Sequence, residues 1–100
     1  MALTVRWSPE AVEDLESIAE YIGRDSKFYA KAVVSKIINT AQSLTELPCL
    51  GRAVPELGNS NIRERFVYSY RLIYEITEPE LLILGIIHGK RLLENIPNRF

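Results

Sequence analysis

A chain of 100 residues with 47% hydrophobic content has material for one domain spanning residues 1–100 around a modest core, and no length for a second. Its formal net charge of −1 gives no overall pull toward polyanions, which argues against a general nucleic-acid coat and leaves phosphate binding to local clusters. Cys49 is the only cysteine, which excludes an intramolecular disulfide and a cysteine-built metal cage and suits a reducing compartment.

Along the chain, Leu3, Val5 and Trp7 alternate with Thr4 and Arg6, the period of a short half-buried strand. Ser8-Pro9 stops it and starts a helix: the serine caps free amides, the proline is preset for the first turn, and Glu10 suits the positive end. Val12, Leu15, Ile18, Ala19 and Ile22 form the apolar stripe of that helix, expected from Pro9 to about Ile22, with Gly23 as a left-handed cap. Asp25 or Ser26 caps a second helix, whose stripe Ala30, Val33, Val34, Ile37, Ile38, Ala41 and Leu44 runs on to Leu47 before Pro48 ends it. The two helices, separated by a tight turn, make an antiparallel hairpin.

Residues 48–61 carry Gly51, Pro55, Gly58, Asn59, Ser60 and Asn61 and read as a loop, long for so small a domain and for that reason a place to look for function. Ile62–Val67 is the next strand and Tyr68-Ser69 a turn. Tyr70–Ile76 and Leu81–His88, split by Glu78-Pro79-Glu80, form an antiparallel hairpin whose second strand is apolar on both faces, hence central. After Arg91 the pattern is a short helical turn or tail. The sum is an α+β fold: an N-terminal strand, an antiparallel helix hairpin, then a three-stranded antiparallel sheet with the helices on one face. The opposite face is left to act.

The last strand ends in His88, Lys90 and Arg91, which aims positive charge and a titratable ring at one edge of the sheet. Register decides what shares a face with them. An even turn puts Arg71 opposite or diagonal to His88, the favoured case; an odd turn puts Arg71 with Ile87. Arg63 and Arg65 share a face on the neighbouring strand, so Arg63, Arg65, Arg71, Lys90 and Arg91 either form a phosphate-holding band or are solvated charges partnered by Glu64 and Glu75. His88 is either a general acid–base or a structural strand-end residue. A single histidine and cysteine give no metal set, and no nucleophile elbow, phosphate loop or dinucleotide fingerprint occurs, so no cofactor is expected. Tyr21, Phe28 and Tyr29 cluster at the turn between the helices, as a core cap or as a surface for a protein partner.

The run from Trp7-Ser8-Pro9-Glu10 through Ile22 resembles the opening of the RelE/ParE superfamily of bacterial toxins. So do Leu47-Pro48 leading to Gly51-Arg52-Ala53-Val54-Pro55-Glu56-Leu57, Ile62-Arg63-Glu64, Tyr70-Arg71-Leu72-Ile73-Tyr74 and Ile86-Ile87-His88-Gly89-Lys90-Arg91, in the same order over nearly the whole chain. The resemblance implies a toxin of a type II toxin–antitoxin pair, neutralised by a cognate antitoxin that wraps it, here expected on Tyr21, Phe28 and Tyr29. One branch of the superfamily cleaves messenger RNA on the ribosome; the ParE branch, which the opening and the His-Gly-Lys-Arg ending resemble more, poisons DNA gyrase. Gyrase inhibition by binding is the first expectation, with Arg63, Arg71, His88, Lys90 and Arg91 as target contacts and no catalytic residue. The alternative is a ribosome-dependent ribonuclease using Arg63, Arg71, Tyr74 and His88 to clamp a phosphate and move its 2′-hydroxyl proton. A further alternative is an inactive homologue kept as an antitoxin-binding protein. Against cleavage stand the acidic balance, the absence of lysine from Gly51–Leu57, and Ile87 where such nucleases tend to place arginine. With no signal-peptide pattern and no apolar run near about 18 residues, a soluble cytoplasmic protein without a membrane partner is expected.

Overall fold

The computed structural model describes residues 3–91; the tail read from the sequence after Arg91 lies outside them. Strand β1 (Thr4–Trp7) leads into helix α1 (Pro9–Gly23), followed by helix α2 (Lys27–Ser43), a 3-10 turn (Pro48–Leu50), and strands β2 (Arg52–Ala53), β3 (Ile62–Val67), β4 (Tyr70–Thr77) and β5 (Glu80–His88). Both helix starts follow from their hydroxyl caps. Ser8, with extended backbone, accepts from the Ala11 amide at 3.1 Å, and Ser26 accepts from that of Tyr29 at 3.0 Å.

The helix ends differ from expectation. Gly23 stays inside α1 and takes no left-handed conformation; the chain leaves through Arg24 in the right-handed region, with the Asp25 and Ser26 amides both donating to the Ile22 carbonyl. Helix α2 stops at Ser43 rather than Leu47, because the Ser43 and Thr45 hydroxyls turn back onto the Thr40 and Gln42 carbonyls and tighten the last turn. Leu44 is buried there, while Leu47 is left exposed.

The sheet has five strands rather than three, in the order β1-β5-β4-β3-β2. Strand β1 pairs parallel with β5, and the other pairings are antiparallel, so β5 is interior as its apolar sequence requires. Strand β2 was hidden in the loop because two residues carry no alternation to read. Above the helix-bearing face, Ala11, Ile18, Val33, Ile37, Ala41 and Leu44 pack on Val67, Leu72, Tyr74, Leu81, Ile83 and Ile86. The opposite face is partly covered by the segment after β2, whose Val54 and Leu57 pack on Ile73, Ile87, Ile62 and Leu84.

Register is decided by one extra residue. The β4–β5 turn, Glu78-Pro79, is even as favoured, and from Thr77↔Glu80 to Tyr74↔Ile83 the strands pair accordingly. A bulge then places Ile73 opposite Gly85, skipping Leu84, and every later pair slips by one. Arg71 faces Ile87, and His88 faces Tyr70, on the other side of the sheet. The expected sharing of a face by Arg71 and His88 is therefore overturned. No helix among the described residues is long and apolar enough to cross a membrane.

Candidate functional site: an aromatic groove and a charge-locked loop

At the end of β5 the sheet and the helix hairpin diverge, leaving a groove of roughly 680 Å³. Tyr21 and Tyr29 line it from the helices, Tyr68 and Tyr70 from the β3–β4 hairpin, and His88 and Arg91 from the end of β5. The His88 and Tyr70 rings meet edge to face, 5.9 Å between centroids at 76°. Burial first, then the neighbouring phenols of Tyr21 and Tyr29, hold the Tyr70 hydroxyl above the ordinary tyrosine value. Tyr68, in the two-residue turn, adopts a left-handed φ of 53° and is exposed. A left-handed non-glycine residue costs about 1–2 kcal/mol, which the pairing on either side of the turn must offset.

Two groups of residues singled out separately in the sequence thus meet. Tyr21 and Tyr29, expected to hold an antitoxin, share one groove with His88 and Arg91, expected to hold a target. Phe28 is outside it, 86% exposed on the first turn of α2. Lys90 is exposed in the tight turn that follows β5, where its amide donates to His88 Nδ1 at 3.3 Å. Asp14, Asp25, Tyr68 and Tyr70 also line the groove and were missed, since only the fold brings the helix turn beside the hairpin turn.

The proposed cationic band is not assembled. Strand pairing sets Arg63 opposite Tyr74 and Arg65 opposite Leu72, toward the helix-bearing side, while Arg71 lies opposite Phe66 and Ile87 on the other side. Arg71 is buried and fully engaged: Nη1 and Nη2 donate to the two Glu56 carboxylate oxygens at 2.9 Å each, and Nε and Nη2 reach Glu64 Oε1 at 2.6 Å. Glu64, itself buried, takes Arg52 Nε on its other oxygen at 2.6 Å. Glu64 is a partner read from the sequence; the second acid is Glu56 of the covering loop rather than Glu75. The Glu56 bond first, with Glu64 behind it, holds the Arg71 pKa above the usual arginine value, and Arg71 holds the Glu56 carboxyl below the usual carboxylate range.

Tyr74 anchors the same loop from beneath. Its hydroxyl donates to the Pro48 carbonyl at 2.5 Å and accepts from the Gly51 amide at 3.1 Å, and burial raises its pKa. Gly51 has to be glycine: a Cβ there would lie 2.5 Å from both the Glu64 carbonyl oxygen and the Tyr74 hydroxyl. Arg63 Nη1 completes the anchor by donating to the Gly51 carbonyl at 3.0 Å. Tyr74 and Arg71, both considered as ribonuclease residues, therefore spend their polar atoms holding the chain. Among the described residues no group of histidine, cysteine, aspartate and glutamate side chains is placed to hold a metal ion.

Residues 5–93 match the family model described as the ParE toxin of a type II toxin–antitoxin system, parDE. Toxin RelE2 of Caulobacter vibrioides is 33% identical over 89 residues, covering 88% of this chain and 97% of that one. Among solved structures, one of the chromosomal ParDE system of P. aeruginosa superposes with a TM-score of 0.74 at 18% identity, covering 89% of this chain and 98% of the other. The RelBE2 toxin–antitoxin complex of Mycobacterium tuberculosis gives 0.64 at 21%, covering 88% and 99%. These last two likenesses speak for the fold, and the α+β arrangement of strand, helix hairpin and sheet is the one they share. With the family model spanning nearly all of the chain and the sequence motifs in their expected order, the protein belongs to the ParE toxins of type II toxin–antitoxin systems, within the RelE/ParE superfamily.

Proposed function

We propose that this toxin inhibits DNA gyrase by binding it, and that a cognate antitoxin neutralises it in the cytoplasm. The observation that carries the choice of target is the separation of the residues a ribonuclease would need. Arg71 is sequestered by Glu56 and Glu64 on one face of the sheet; on the other, Arg63 Nη1 and the hydroxyl of the buried Tyr74 are spent on the backbone around Gly51, and His88 stands at the opposite end of β4, beside Tyr70. General acid–base cleavage of a phosphodiester needs its groups within hydrogen-bond reach of one substrate atom, and this set does not converge. A binding toxin needs an exposed surface instead, and the groove offers tyrosines, His88 and Arg91, with the exposed Lys90 in the turn between those two.

The antitoxin is proposed to take Tyr21, Tyr29 and the exposed Phe28. The family model is that of a toxin–antitoxin system, and the RelBE2 neighbour is a toxin–antitoxin complex, which supports a protein partner for this chain. The test is direct. Purified toxin is added to a gyrase supercoiling assay and, separately, to a translating extract in which messenger RNA is followed. Loss of supercoiling with intact message is expected; cut message with unimpaired gyrase would overturn the choice of target, and inertness in both assays would favour an inactive, antitoxin-binding homologue.

A further inference from the structure

The face of the sheet away from the helices carries an arginine fork that the chain has filled with its own acid. The two carboxylates on Arg71 do different work. Glu64, with a side chain 0% exposed, bridges Arg71 to Arg52 from within the sheet and fixes the plane of the guanidinium. Glu56 comes from the loop on the solvent side, its side chain is 34% exposed, and it meets the fork at two points, 2.9 and 2.9 Å. That two-point geometry is the one by which a guanidinium takes a carboxylate or a phosphate alike.

The surroundings of Glu56 suit an anion larger than a carboxylate. Arg52 has a side chain 66% exposed and gives only Nε to Glu64. Its guanidinium lies over the Phe66 ring, 5.8 Å from the centroid, and Phe66 is 56% exposed and pairs across the sheet with Arg71. One fork, a second cation and an open aromatic face are grouped around one removable acid. With Glu56 in place the two arginines are balanced by two glutamates; without it the cluster carries one positive charge.

We propose that Glu56 is an internal stand-in for phosphate: it fills an anion site built from Arg71, Arg52 and Phe66, and so keeps this face of the toxin from taking phosphodiesters. Glu56 is then a specificity-determining residue, one that sets what the sheet does not bind. The proposal stands whichever macromolecule the toxin inhibits, because its readout is anion binding and not growth arrest.

The experiment titrates inorganic phosphate, and in a second arm a short single-stranded RNA, into the wild-type chain, Glu56→Ala, Glu56→Gln and the double variant Glu56→Ala/Arg71→Met, with circular dichroism and melting as controls of folding. Phosphate is expected to bind Glu56→Ala at least tenfold more tightly than wild type, Glu56→Gln less so, and the double variant no better than wild type, with RNA in the same order. Should Glu56→Ala fail to fold, Glu56→Gln decides, since its amide fills the same space. A folded single variant that titrates like wild type overturns the proposal, as does a gain that survives loss of Arg71. Phosphate binding without RNA binding overturns the part that concerns phosphodiesters.

Discussion

Glu56 and Tyr74 hold one loop from its two sides, and the ionisation of Glu56 gives this arrangement a pH signature. The Glu56 carboxyl titrates below its ordinary value of 4.5 because Arg71 favours the charged form. A group whose folded-state pKa is lowered contributes stability that is fully present above the unfolded value and is lost as the pH falls through the lowered one. Acidification from pH 7 to below 4.5 is therefore expected to lower the urea midpoint of the wild-type chain, and to lower that of Glu56→Gln by less, since the variant has no such charge to lose. An equal acid dependence of the two would show that the pair adds nothing to stability. Removing Arg71 instead leaves the buried Glu64 with Arg52 as its remaining partner, while the half-exposed Glu56 turns to water. Breaking a buried pair such as Arg71–Glu64 costs about 3–5 kcal/mol, read as a fall in the urea midpoint of Arg71→Met, and the bond Glu64 keeps to Arg52 holds the loss to the low end.

At the scale of elements, the bulge in β5 is joined to the first helix. The extra residue Leu84 breaks the ladder, and α1 supplies what the strand loses: the Ser8 hydroxyl donates to the Leu84 carbonyl at 3.2 Å while capping α1, and Asp14 Oδ2 accepts from the Ile86 amide at 2.9 Å. Ser8→Ala is expected to cost about 1 kcal/mol for the cap, and more in total because the Leu84 carbonyl loses its partner in a partly buried place. Thermal unfolding compared with Ser26→Ala, an exposed cap with no such second bond, measures the difference. Equal losses would mean that the bond to the bulge is idle. The elements themselves were legible in the sequence because each is announced locally, by Ser8-Pro9, by the helical stripes and by the apolar runs after Tyr70. The bulge was not legible: Ile83-Leu84-Gly85-Ile86 offers apolar residues to both faces, so alternation carries no mark of where the slip occurs. With the bulge went the face of His88, and with the unread β2 went Glu56 as the partner of Arg71. The aromatic cluster at the helix turn could be named from the sequence, but not its meeting with His88 and Arg91, because nothing local says that the hairpin turn Tyr68-Ser69 lies beside it.

Across the whole molecule, apolar and aromatic surface is unevenly spread. Tyr21, Phe28 and Tyr29 at the helix turn and Phe66 and Tyr68 near the hairpin turn are all exposed, and β3 beyond Glu64 has no strand on its outer side among the described residues. An open edge beside exposed aromatics is a template for another chain and, without one, for self-association. The toxin copurified with its antitoxin is expected to be more soluble and to melt higher than the toxin alone, as linkage requires of any partner that binds only the folded form. Sizing and melting of the two preparations check this, and equal behaviour would count against a partner covering these surfaces. The parallel pairing of β1 with β5 joins residues such as Thr4 and Glu80, far apart in the chain. During synthesis the helices emerge early with nothing to lie on, for β4 and β5, the strands they cover, are made last. The apolar faces of the helix hairpin thus wait for cover until translation has passed His88, the last residue of the sheet they lie on.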